Sequence, residues 1–277
     1  MPESVPEITG HYVLVDGTRI YYDECGSGPT MVCIHTADAC SLQYMYFLPE
    51  MAKRGLRTIA IDLPGHGKSY PHKWEPFRKM HEYAEFVWKF IKQVCPDDKP
   101  IVCGCSVGGS MTLEIACNHS QEMKAGIAME CTAHVDDPKQ WCNFTGDLEN
   151  PAWCPNWRAI YERAGSSSLY EASGEKFTEW RWQHRYRAQE VGAGDLQCWV
   201  DHDVRDTLKN VSCPIMVFKG EVDYWVPDET LDYIVSSVPN GLAEKKVGPK
   251  MGHYPQFEKP EALADIHYEF LKRRGVI

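Results

Sequence analysis

The stretch Cys103-Gly104-Cys105-Ser106-Val107-Gly108-Gly109 decides the fold of this 277-residue chain. It follows an apolar run that begins at Ile101, which is typical of a buried strand, and it opens a segment typical of a helix. Glycines flank the serine in the pattern G-x-S-x-G, where side chains in place of Gly104 and Gly108 would clash with neighbouring chain segments. The pattern therefore predicts a sharp strand-turn-helix unit with Ser106 at the turn.

Short apolar runs bounded by Gly, Pro and Asp occur on both sides of this turn. The predicted strands are Tyr12–Val15, Ile20–Asp23, Met31–Ile34, Thr58–Ile61, Ile101–Cys103, Gly126–Met129, Ile215–Phe218 and Ala243–Val247. Besides the helix after Ser106, helices are predicted over Met80–Val94, near Asp228–Val235 and over Pro260–Lys272. From the third strand onward the two element types alternate, which predicts the α/β class with a mainly parallel central sheet flanked by helices.

This alternation stops after Met129. The residues from Cys131 to Asn210 are rich in tryptophan, in charged residues and in Gly/Ser turns. We interpret residues 132–210 as an inserted, mostly helical cap, and residues 1–131 and 211–277 as the core. The cap tryptophans are candidates to line an aromatic or hydrophobic substrate pocket.

Composition excludes some partners and compartments. The formal net charge is -10 and no Lys/Arg block stands out, so nucleic acid is not expected as a partner. No run of 18 apolar residues occurs and the first residues lack the pattern of a signal peptide, so we expect a cytoplasmic protein that makes no membrane contact. The 12 cysteines are interpreted as reduced core thiols, with no metal site, in a monomer or homodimer.

The serine of the turn suggests a nucleophile. A serine hydroxyl is weak in this role unless a base lies within hydrogen-bond reach and an acid orients that base. His253 lies in a predicted loop between the last strand and the last helix, and it is the candidate base. Asp223 follows the predicted strand Ile215–Phe218 and is the candidate acid, whereas His66 is interpreted as a surface or satisfied core residue.

These residues occur in the chain order Ser, acid, His, and together with other motifs they resemble the α/β-hydrolase superfamily. The further landmarks are Ile34-His35-Thr36-Ala37, Asp62-Leu63-Pro64-Gly65-His66-Gly67-Lys68-Ser69, Gly220-Glu221-Val222-Asp223 with Val226-Pro227, and Gly252-His253. The resemblance implies an oxyanion hole formed by the backbone N–H groups of Val107 and Ala37. It also implies a serine hydrolase without a cofactor that cleaves an ester or lactone of a small hydrophobic or aromatic metabolite through an acyl-enzyme.

The chain departs from the family pattern at two positions. Thr36 stands where relatives usually carry glycine after the histidine, and Glu130 ends the strand that precedes the cap, a position from which some relatives draw the acid of the triad. Glu130 is thus an alternative to Asp223. Thr36, His134 and Trp182 are the candidate residues of the substrate pocket.

The same residues are compatible with two other functions. A carbon–carbon bond hydrolase would use the same triad. Such enzymes resemble one another in an Arg and a Trp that hold the substrate, and these have no clear equivalent in this chain. A ligand receptor of the same fold would bind its small molecule without turnover.

Overall fold

The computed structural model describes residues 6–136, 169–171, 174–184 and 188–277. The strands are β1 Thr9–Val15, β2 Thr18–Gly26, β3 Thr30–Ile34, β4 Arg57–Ile61, β5 Ile101–Cys105, β6 Ala125–Met129, β7 Ile215–Gly220 and β8 Ala243–Gly248. They form one eight-stranded sheet in the order β1-β2-β4-β3-β5-β6-β7-β8. The pairs β1–β2 and β2–β4 are antiparallel and all the others are parallel, so the prediction of a mainly parallel sheet is confirmed.

Helices cover both faces of this sheet. Within the described residues they are α1 Phe47–Lys53, α2 Met80–Val94, α3 Val107–His119, α4 Gly174–Gln183, α5 Gln189–Asp201, α6 Asp228–Ser237, α7 Pro255–Glu258 and α8 Pro260–Arg273. The predicted bounds of α2 are the observed ones, because its buried residues recur at three- and four-residue steps. The other predicted elements differ from the observed ones by one to three residues at their ends.

Successive residues of the central strands face opposite layers of the core. In β3, Val32 and Ile34 join the cluster that packs under α2, α3 and α6, whereas Met31 and Cys33 join the cluster under α1 and α8. A parallel strand that is covered on both faces reads as a continuous apolar run, which is why these strands were visible in the sequence. The carboxyl ends of β3, β5, β6, β7 and β8 lie side by side, and open α/β sheets bind their ligands at this edge.

Part of the predicted cap lies in the described residues. Helix α5 packs against α2 and α3, and it comes so close to the core that a Cβ on Gly194 would lie 2.7 Å from the carbonyl oxygen of Phe77. Trp141, Trp153 and Trp157 lie outside the described residues. The division into core and cap stays a prediction.

The described part of the chain also bears on the cysteines and on membranes. Its ten cysteines are all buried thiols, which agrees with their interpretation as core residues. None of the described helices has the length and apolar character needed to cross a bilayer.

Candidate active site

Ser106 lies at a strained turn between β5 and α3. Its backbone has φ 58° and ψ -119°, and its N–H donates to the carbonyl oxygen of Met129 at 2.9 Å. A Cβ on Gly104 would lie 2.0 Å from the carbonyl oxygen of Gly108, and a Cβ on Gly108 would lie 2.3 Å from that of Ile34. The two glycines are therefore required by close backbone approach, and they hold Ser106 at the N-terminus of a helix, where negative charge is favoured.

His253 and Asp223 are in direct contact. The distance from His253 Nδ1 to Asp223 Oδ2 is 2.8 Å, and the Asp223 side chain is fully buried. The backbone N–H of Trp225 donates to Asp223 Oδ1, also at 2.8 Å. Burial opposes the charged form of Asp223, but the charge of His253 and the hydrogen bonds to the carboxylate hold its pKa below the ordinary value. Asp223 is thus an anion that accepts Nδ1–H and leaves Nε2 of His253 for proton transfer.

Two side chains hold the loop that carries His253. Glu258 accepts the N–H groups of Gly252 and Tyr254, on either side of the histidine, at 3.0–3.2 Å, and it also accepts the N–H of Tyr170 at 2.7 Å. The thiol of Cys105, next to Ser106, donates to the carbonyl oxygen of His253 at 3.2 Å. Sequence reasoning missed Glu258, although a glutamate five residues after a candidate base and just before the predicted last helix was a signal for such a contact.

The loop after β3 is fixed by a glutamine. Gln43 accepts the N–H of Thr36 at 3.1 Å through Oε1 and donates to Thr36 Oγ1 at 2.9 Å through Nε2. The threonine hydroxyl in turn donates to the carbonyl oxygen of Ala37 at 3.1 Å. Thr36 does not adopt a positive φ, whereas Asp38 does at 67°. The departure from glycine at Thr36 is therefore accommodated by its hydrogen bonds, and the left-handed residue of the loop is two positions further on.

Two buried histidines beneath this loop differ in charge. His35 donates from Nδ1 to the carbonyl oxygen of Thr36 at 2.7 Å and accepts the N–H of Leu63 on Nε2 at 3.1 Å, so it is neutral. Its pKa is correspondingly held well below the ordinary value, first by burial and then by the charge of His66.

His66 is the charged member of the pair. Both of its ring nitrogens face acceptors: Nε2 lies 2.8 Å from Asp195 Oδ2 and Nδ1 lies 3.3 Å from the carbonyl oxygen of Pro64. Burial opposes its protonation, but the carboxylate of Asp195 outweighs this and raises the pKa of His66. Asp195 also accepts the N–H of Asp38 at 3.2 Å. Helix α5 thus contributes a carboxylate that holds the loop after β3, a contact that sequence reasoning missed.

Glu130 follows β6 with a φ of 50° and is 2% exposed. Its Oε1 accepts the N–H of Gly220 at 2.6 Å, at the end of β7. One carboxylate oxygen of Glu130, one of Asp223 and one ring nitrogen of His253 lie within 4.8 Å of one another. Both candidate acids are therefore beside the histidine, and it is Asp223 that hydrogen-bonds its ring.

His134 and Trp182 are the other candidate pocket residues. The ring of His134 donates to Asp136 at 2.6 Å, and its backbone forms an isolated antiparallel β-bridge with that of Asp203. Trp182 on α4 is 58% exposed. It is Trp180, two residues earlier, that is fully buried, 5.3 Å from the ring of Tyr254 beside His253. The segment around Trp180 is a helix, so alternate residues do not share a face.

A model of the alpha/beta hydrolase family matches residues 31–266. The chain belongs to the alpha/beta hydrolase family. As a member of this family it is a hydrolase, and the serine turn, the histidine loop and the acid-bearing loop lie at the expected edge of its sheet.

Curated and solved alpha/beta hydrolases resemble this chain over most of its length. A pimeloyl-[acyl-carrier protein] methyl ester esterase of Nitrosospira multiformis is 23% identical over 240 residues, covering 80% of this chain and 90% of that protein. An esterase from Thermogutta terrifontis matches with a TM-score of 0.82 at 19% identity over 96% of this chain and 98% of its own. The enol-lactonase from Burkholderia xenovorans LB400 matches with a TM-score of 0.80 at 16% identity over 95% of this chain and 100% of its own.

Proposed function

We propose that this hydrolase cleaves an ester or lactone of a small hydrophobic or aromatic metabolite with a triad of Ser106, His253 and Asp223. The observation that carries the proposal is the buried contact of 2.8 Å between His253 Nδ1 and Asp223 Oδ2, at the sheet edge where the strained turn presents Ser106. A cytoplasmic location and a monomeric or homodimeric state are the accompanying expectations from the sequence.

The triad performs the reaction in two halves. Ser106 Oγ attacks the carbonyl carbon while Nε2 of His253 takes the hydroxyl proton, and Asp223 stabilises the imidazolium that forms. The same proton passes to the leaving oxygen as the bond to it breaks, which leaves an acyl group on Ser106. Water, deprotonated by His253, then attacks the acyl-enzyme and releases the acid.

The negative charge that develops on the carbonyl oxygen needs donors. Val107 begins α3, and the first N–H groups of a helix have no partner within it. The second donor is the N–H of Ala37, in the loop that Gln43 and Asp195 hold from either side. Each such donor contributes about 3–4 kcal/mol to stabilisation of the transition state.

Aromatic rings beside the histidine support a hydrophobic or aromatic substrate. Tyr254 lies 5.2 Å from the ring of His253 and 5.3 Å from that of Trp180, and Trp225 lies 6.5 Å from His253. Aromatic side chains beside a catalytic histidine favour a substrate with apolar acyl or alcohol groups. The relatives named as a methyl ester esterase and an enol-lactonase support a carboxylic ester or lactone as the bond.

Labelling and turnover test this proposal together. A fluorophosphonate probe is expected to label Ser106 in the wild type, and a panel of chromogenic esters and lactones is expected to show steady multiple turnover that is lost in Ser106→Ala. Ser110→Ala is the matched control, because Ser110 lies one helical turn further on with its hydroxyl buried against the carbonyl oxygen of Thr132. Labelling of another serine, or turnover that survives in Ser106→Ala, refutes the triad. Release of one product equivalent without turnover favours the receptor alternative.

A further inference from the structure

Glu130 has a buried carboxyl group that the proposed reaction does not use. Its backbone is fixed by the left-handed conformation and by the N–H that donates to the carbonyl oxygen of Phe218 at 2.9 Å. Because β6 lies between β5 and β7, this places the glutamate between the strand that leads to Ser106 and the loop that carries Asp223. The side chain therefore points into the protein next to the candidate triad rather than into solvent.

The two oxygens of this carboxyl group have different surroundings. Oε1 accepts the N–H of Gly220 at 2.6 Å. Oε2 is buried and has no N–H or O–H donor among the residues that the structure describes, while the neighbouring carboxylate of Asp223 is an acceptor. One carboxylate oxygen of Glu130 and one of Asp223 lie within 4.8 Å of each other. Two ionised carboxylates this close repel each other, and burial strengthens the repulsion. A proton on Oε2 removes the repulsion and supplies the missing donor.

The charged groups around the pair favour the same distribution of protons. Burial, followed by the charges of Asp223 and Glu258, raises the pKa of Glu130 well above its ordinary value, although the Gly220 N–H acts in the opposite direction. The pKa of Asp223 is lowered instead, because His253 lies beside it. The thiols of Cys105 and Cys131 are themselves held neutral by burial, which raises their pKa values.

We propose that Glu130 is a positioning residue, protonated at neutral pH, whose Oε2–H donates to Asp223 and holds that carboxylate against His253. The proposal rests on the proposed triad. Asp223 then receives three donors: the ring of His253, the N–H of Trp225 and the acid group of Glu130. With Oε1 tied to Gly220, Glu130 couples the ends of β6 and β7 to the orientation of the triad acid. In this role it is neither the alternative triad acid nor a pocket residue.

Substitutions that differ in donor capacity test this role. Glu130→Gln keeps an acceptor for Gly220 and a donor for Asp223, whereas Glu130→Met has similar volume and has neither. We expect kcat to fall by about 10- to 100-fold in Glu130→Met, as loss of a supporting hydrogen bond does at other sites, with KM nearly unchanged, and most of the loss to be rescued in Glu130→Gln. Glu114→Met is the control, because Glu114 on α3 is a mostly buried glutamate, with a side chain 12% exposed, that hydrogen-bonds His81 of α2 at 2.9 Å away from the triad.

The pH profile separates positioning from simple loss of stability. Without the hydrogen bond from Glu130, Asp223 is more basic and stabilises the imidazolium of His253 more strongly. The acidic limb of kcat/KM is therefore expected to move to higher pH in Glu130→Met but not in Glu130→Gln or Glu114→Met.

Infrared spectroscopy reads the proton directly, without activity. In the difference spectrum of wild type against Glu130→Gln at neutral pH, we expect the carbonyl band of a protonated carboxyl group in the wild type. Absence of that band overturns the proposal, even if Glu130→Met does not fold. Inactive Glu130→Gln with active Asp223→Asn overturns both the proposal and the triad. Failure of Ser106 labelling with the band present refutes the triad but leaves the protonated carboxyl standing.

Discussion

Replacing Asp195 by alanine tests the buried ion pair that joins α5 to the core. The side chains of His66 and Asp195 are 0% and 1% exposed, so neither charge is screened by water. Removal of the carboxylate leaves an imidazole without its counter-ion and takes away the acceptor of the Asp38 N–H. Asp62, Tyr83 and neutral His35 also face this pair and remain in place.

The expected loss of stability depends on pH. In the wild type the pKa of His66 is raised, so its contribution is fully present below the unfolded pKa of about 6.5 and is lost as the pH rises through the folded pKa. In Asp195→Ala the carboxylate no longer offsets burial, and we expect burial to outweigh the remaining charge of Asp62 and to lower the pKa of His66. The folded variant then binds fewer protons than the unfolded chain in acid. Each pH unit below about 6.5 then costs the variant about 1.4 kcal/mol.

The size of the loss in free energy of unfolding depends on the charge of His66. Above the folded pKa of His66 the histidine is neutral in both proteins, and the variant loses only hydrogen bonds, worth about 1–3 kcal/mol. At about pH 5.5 the loss in free energy of unfolding grows to about 3–5 kcal/mol, the range for breaking a buried ion pair.

Urea unfolding of both proteins across this pH range measures the difference. Asp201→Ala is the control on the same helix, because Asp201 pairs with Lys79 at the surface and is expected to contribute less than about 1 kcal/mol at any pH. A difference between wild type and Asp195→Ala that stays constant or shrinks in acid would refute the reasoning that His66 is charged.

Three further outcomes are expected. Asp223→Asn is expected to lower kcat by about 10⁴-fold with the fold intact, because the wrong tautomer of His253 is held, and steady-state kinetics beside circular dichroism measure this. Gly104→Ala is expected to destabilise the protein by at least about 1–3 kcal/mol in urea unfolding, since its Cβ would lie 2.0 Å from the Gly108 carbonyl oxygen; a loss under half of that contradicts the close packing. Dialysis against EDTA is expected to leave turnover unchanged, and activity that is lost and then restored by zinc would show that Asp223 and His253 serve a metal instead.

The sequence was most informative where one segment determines its own structure. Helix α2 matched its prediction because nine of its residues are buried in a helical repeat, and the central strands were recognisable as apolar runs. The turn at Ser106 was visible because close approach permits only glycine at Gly104 and Gly108. His253 and Asp223 could be predicted as candidate base and acid because each follows a recognisable strand.

Contacts between distant segments had no such signal. His66 and Asp195 are 129 residues apart, and neither belongs to a pattern that names the other. Which of two carboxyl groups meets His253 depends on the conformation of the loop after β7, and the sequence left both Asp223 and Glu130 open. The sequence does not give the helical phase of α4, and in the structure this phase buries Trp180 and leaves Trp182 58% exposed.

The ten buried thiols of the described residues are probes of local opening that the chain already contains. Cys25, Cys33, Cys103 and Cys105 belong to the core layer under α1 and α8, and Cys95, Cys117, Cys131, Cys198 and Cys213 to the opposite layer. Burial raises the pKa of Cys117 and Cys213 to about 12, so these thiols react with an alkylating reagent only after the chain around them opens. Pulsed alkylation read by mass spectrometry would therefore report the opening rates of the two layers separately, in one unmodified protein.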